Sequence, residues 1–80
     1  MIKQGSMVAV VHGTMKGKFL VLVKKYTDQY HFLSLPDMEV MKIPVTDVDE
    51  GLEKKVLDIV EVLPDEVYNL CIAQYEKSNS

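Results

Sequence analysis

Five apolar residues stand in a row at Phe19-Leu20-Val21-Leu22-Val23, with Lys18 before them and Lys24-Lys25 after. A run this short, β-branched and closed by charge at both ends, is the strongest strand signal in the chain. Its neighbours repeat the signal. Ser6 to Val11 is a short Val-rich run, followed by the two-glycine loop His12-Gly13-Thr14-Met15-Lys16-Gly17. After the polar turn residues Tyr26 to Gln29, the segment Tyr30 to Leu35 alternates. Tyr30, Phe32 and Ser34 fall on one face, and His31, Leu33 and Leu35 on the other. Pro36-Asp37 marks a turn. Val40 to Pro44 forms a short fourth strand that Pro44 ends. Four short strands joined by tight loops predict a meander that curls into a small barrel or curled antiparallel sheet.

Beyond Val45 the periodicity changes. Leu52, Val56, Ile59, Val60 and Leu63 follow the i, i+4, i+7, i+8, i+11 spacing of one helical face. That spacing predicts a helix, with Thr46 or Asp49 as N-cap and acids in its first turn. The β-rich run Ile59 to Leu63 keeps a strand open as the alternative. Pro64 then breaks the chain and serves as the first residue of another helix. Val67, Leu70, Cys71 and Tyr75 make that helix's apolar stripe, and Glu76 to Ser80 is expected to fray. The reading is α+β, one domain over 1–80. It has a strand-rich portion to residue 45, a helical portion over 46–77 and a tail over 78–80.

With 80 residues and a single cysteine, Cys71, no internal disulfide can staple this domain. Cys71, His12 and His31 lie too far apart for the usual zinc ligand pairs. No cofactor or metal is therefore expected. Stability has to come from a packed core, from self-association, or both. Dimerisation through the C-terminal helices is the expected form of the second. The lone cysteine fits a reducing compartment. The apolar run Met7 to Val11 is too short for a signal peptide, and no stretch approaches the roughly 20 apolar residues of a membrane span. A cytoplasmic protein without membrane contact is expected.

Charge is unevenly placed. Residues 1–27 carry five lysines and no acid, +5; residues 28–80 carry four lysines and twelve acids, -8; the sum is -3. All nine basic residues are Lys. The absence of Arg, the usual bidentate reader of phosphate and guanine, argues against sequence-specific nucleic-acid reading and phosphoryl transfer.

The segment Ile2 to Val23 resembles a KOW motif. Its parts are Ile2-Lys3-Gln4-Gly5, the strand Met7 to Val11, the loop His12 to Gly17, the Lys16-Gly17-Lys18 step and the strand Phe19 to Val23. The family usually has a glycine soon after that step, where this chain has Phe19 and Leu20. The resemblance implies a small SH3-like barrel that binds RNA, DNA or protein. Lys16, Lys18, Lys24 and Lys25 are then candidate phosphate contacts, and Tyr26, Tyr30 and Phe32 candidate base-stacking platforms. The same lysines also suit a solvated hairpin edge that resists aggregation.

Small toxin ribonucleases of the MazF type also carry an SH3-like barrel with helices after it. On that reading His12 and His31 would be the acid and base. No motif ties the two histidines together. Asp47, Asp49, Glu50 and Glu53 lack the ordered ligand spacing of a calcium loop and suit a helix N-terminus. Cys71 reads as a small buried hydrophobe. Met15, Met38 and Met41 lie in or beside loops and, with Tyr68 and Tyr75, are candidate protein-contact residues. They suit core caps equally well.

With no catalytic set, the chain reads as a non-enzymatic binding module that docks to a larger protein complex. Small accessory proteins of phages and mobile elements have this character. Nucleic-acid binding and a toxin-like ribonuclease are the alternatives.

Overall fold

The computed structural model describes residues 2–78. The elements are β1 (Ser6–Val10), β2 (Phe19–Lys25), β3 (Gln29–Leu35), β4 (Val40–Pro44), α1 (Val45–Glu53), β5 (Leu57–Val62) and α2 (Asp65–Ser78). The fold is α+β. One antiparallel sheet runs in the order β4-β3-β2-β1-β5, so the first four strands form a meander and the fifth returns beside the first. This arrangement fits a small SH3-like sheet with helices added.

The sheet has a core on each face. On the inner face Ile2, Val8, Val10, Leu20, Leu22, Tyr30 and Phe32 surround Val48 of α1. On the outer face Val21, Val23 and Leu33 pack against Cys71 and Tyr75 of α2. β2 and β3 are covered on both sides, which is why Leu20 to Val23 is apolar without alternation. In the β1–β2 loop, Gly13 (φ 94°) and Gly17 (φ 93°) take left-handed conformations that side chains disfavour.

Four expectations need correction. The segment Leu52 to Leu63 is not one helix: α1 ends at Glu53 and β5 begins at Leu57. The stop is a Schellman motif. The Val56 N–H bonds to the Gly51 carbonyl at 2.8 Å and the Lys55 N–H to that of Leu52 at 3.3 Å, with Lys55 at φ 60°. Glycine usually fills that left-handed position, and a lysine there hides the stop from the sequence. Lys55→Gly is expected to stabilise the fold by about 0.5–1 kcal/mol, read as a higher urea midpoint with an unchanged slope.

Neither Thr46 nor Asp49 caps α1. The chain turns from β4 into the helix at Pro44, which holds the cap position without a side-chain hydrogen bond. The buried stripe of α2 contains Cys71 and Tyr75, but Tyr68 and Ile72 flank them, while Val67 and Leu70 face outward. Lastly, Glu76, Lys77 and Ser78 belong to α2, whereas residues 79 and 80 of the expected tail lie outside the described residues. Pro64 stands immediately before α2 and its carbonyl accepts the Tyr68 N–H at 2.9 Å.

Candidate functional site

The basic and aromatic residues of the hairpin do not form one surface. Lys16 and Lys18 lie in the β1–β2 loop, while Lys24 and Lys25 end β2, roughly 20 Å along the strand. Lys18 is paired with Asp37 of the β3–β4 turn, and that hydrogen bond holds its ammonium above the ordinary lysine range. Lys25 Nζ donates to the Ile2 carbonyl at 3.1 Å and sits 5.4 Å from the Tyr30 ring centre. Tyr30 and Phe32 are buried in the inner core, so neither is a stacking platform. Of the three aromatic candidates only Tyr26 reaches the surface, and it leans on His31 with ring centres 4.7 Å apart.

The two histidines are not brought together. His12 is exposed in the β1–β2 loop, beside a hollow that Met15, Leu20 and Ile43 also line. His31 is buried on β3, under α2. The amide nitrogen of Gln29 donates to His31 Nε2 at 3.2 Å, and Nδ1 then donates to the Tyr75 hydroxyl at 2.8 Å. A doubly protonated ring could not accept from Gln29. Burial, with Lys42 adding repulsion, pushes the His31 pKa below its ordinary 6.5.

Between pH 6.5 and the lower folded value, the unfolded chain binds a proton that the folded chain refuses. His31 therefore adds stability above pH 6.5 that is lost as pH falls toward and through the folded value. The expected result is a melting temperature that falls from pH 7 to pH 5 more steeply in the natural chain than in His31→Gln.

The predicted protein contacts are also mostly internal. Met15 and Met41 pack on the inner core, and Tyr75 is buried. The Tyr68 hydroxyl donates to the Val23 carbonyl at 3.0 Å and accepts from Gln4 Nε2 at 2.7 Å. Met38 alone of that set is well exposed. Cys71 is buried and burial pushes its thiol pKa up. Asp47, Asp49, Glu50 and Glu53 lie on α1, where Glu50 pairs with Lys54 at 2.6 Å. Among the described residues no three His, Cys, Asp or Glu side chains gather as metal ligands, and no helix is long and apolar enough to cross a membrane.

Besides the single exposed residues Leu70, Val67, Tyr26, Met38 and Phe19, an open apolar edge lies on β5. Ile59, Val60 and Val62 are 43%, 49% and 52% exposed. β5 pairs with β1 on one side and ends the sheet on the other. The Val11 N–H bonds to the Val56 carbonyl at 2.9 Å, and the Leu63 N–H to the Gly5 carbonyl at 3.0 Å. By alternation Asp58 and Glu61 also bond toward β1, while Leu57, Ile59 and Val62 turn their backbone groups outward; a register shift separates the two halves. Beside the strand runs an open groove of about 610 Å³ lined by Val11, Leu52, Lys55, Leu57, Asp58 and Ile59.

No single residue of the sequence marks this edge. Its only sequence signal was the β-rich run Ile59 to Leu63. No family model matches the chain, nor does any curated protein or solved structure.

Proposed function

We propose that this chain is a non-enzymatic module that binds another protein, and that β5 is its docking edge. The observation that carries this reading is an edge strand whose apolar side chains are about half exposed and whose outer backbone groups have no strand beside them among the described residues. Proteins usually blunt such edges with lysines, prolines or covering elements, because an open apolar strand recruits another. Here the sequence Leu57-Asp58-Ile59-Val60-Glu61-Val62 contains none of those lysines or prolines, and its bulge and its two acids restrict pairing to a strand of matching register and charge. The scattered lysines and buried Tyr30 and Phe32 weaken the nucleic-acid alternative, and the separated histidines weaken the ribonuclease one.

A photo-crosslinking side chain placed at Val60, and separately at Lys16, tests the reading in cells that make the protein. The expected result is one discrete protein adduct from position 60 and none from position 16. Nucleic-acid adducts from position 16, with position 60 silent, would overturn it in favour of the basic hairpin.

A further inference from the structure

Two free features of β5 together describe what can pair with it. Residues directly opposite each other in a sheet share a face. Leu57 and Ile59 lie opposite Val10 and Val8, whose side chains fill the inner core, so both point to the inner, groove side. Val62 lies opposite buried Ser6 on that same side. Asp58 and Glu61 lie opposite Ala9 and Met7, and Met7 packs on the outer core. The edge therefore reads apolar inside at Leu57, Ile59 and Val62 and acidic outside at Asp58 and Glu61, with Val60 as the extra residue of the bulge.

From this we infer that β5 is extended by a partner's strand in which apolar residues alternate with lysine or arginine. This deepens the docking role proposed above and rests on it. Main-chain hydrogen bonds to Leu57, Ile59 and Val62 supply the pairing. The partner's apolar residues enter the groove beside Leu52 and Leu57, and its basic residues face Asp58 and Glu61.

A second copy of this chain fits the edge badly in its central registers. Two-fold pairings of β5 with itself centred on Asp58, Ile59 or Glu61 set Asp58 against Asp58, Asp58 against Glu61, or Glu61 against Glu61. Like charges directly opposite destabilise a strand pair. The chain's own basic apolar run, Phe19 to Lys25, is already paired on both sides.

The test is a nuclear magnetic resonance titration of the full chain with short peptides. One alternates valine and lysine, one alternates valine and glutamate, and one is the valine–lysine peptide with alternate backbone amides N-methylated. The valine–lysine peptide is expected to shift the amides of Leu57, Ile59 and Val62. The valine–glutamate peptide should bind at least about tenfold more weakly, and the N-methylated peptide should not bind. The exposed double variant Asp58→Lys, Glu61→Lys should reverse the charge preference. Equal binding of the two charged peptides, or binding that survives N-methylation, overturns the inference. If the valine–lysine peptide leaves β5 unmoved while the crosslinker at position 60 still traps a protein, the strand chemistry is wrong and the docking edge stands. If position 60 traps nothing either, both are wrong.

Discussion

Phe32→Ala is expected to destabilise the protein by about 3–5 kcal/mol. Phe32 is fully buried on the inner face of β3, among Leu20, Leu22, Tyr30 and Val48. Removing its ring loses the transfer energy of a large aromatic side chain and leaves a cavity that β2 and α1 cannot close without moving. A domain of 80 residues has a total stability of about 4–12 kcal/mol, so the loss is a large share of the whole. Urea denaturation followed by circular dichroism reads it directly. Lys16→Ala, on the exposed loop, is the control and should move stability by less than about 0.5 kcal/mol. A near-natural midpoint for Phe32→Ala would mean that the ring is not core, and the base-stacking role would return.

The second large effect is on binding. Val60→Lys combined with Val62→Lys is expected to weaken the partner trapped at position 60 by at least about tenfold, with stability changed by less than about 1 kcal/mol. Both valines are about half exposed, so lysine can extend into water without opening the core. At the edge the change is severe. Two apolar cross-strand contacts are lost, and two cations are placed beside a strand that the acids Asp58 and Glu61 would otherwise attract. The same pair of lysines is the device by which proteins close exposed edges. Affinity of the purified pair, measured by titration calorimetry, reads one effect, and thermal denaturation reads the other. A variant that binds as the natural chain does would show that the partner sits elsewhere.

The meander was legible because its signals are local. Apolar runs are bounded by Gly13, Gly17, Pro36 and Pro44, each of which falls within three residues of an observed strand end. The alternation of Tyr30 to Leu35 was also visible, as were the two faces of β3. What alternation does not tell is that both faces are covered. Only the return of α2 onto β2 and β3 removes His31 and Leu33 from solvent, and only α1 closes over Phe32. Tyr30 and Phe32 are unavailable for stacking for that reason.

The region from 45 to 63 misled for three separate causes. Pro44 does two jobs, ending β4 and starting α1, so the helix begins before either polar cap candidate. Lys55 holds the left-handed position that glycine normally announces. The extra residue at Val60 then breaks the period-two pattern of β5, and the remaining apolar residues match helical spacing by coincidence. The open edge of β5 is masked in the sequence by that same bulge, because Ile59, Val60 and Leu63 then fall at helical spacing.

Backbone amide hydrogen exchange of the free protein tests the central claim most directly. The claim is that the outer edge of β5 is open. The account predicts fast exchange at Leu57, Ile59 and Val62 and slow exchange at Asp58, Glu61 and Leu63, whose N–H groups face β1. Equal, strong protection along the whole strand would mean that something already covers the edge in the free protein, and would contradict it.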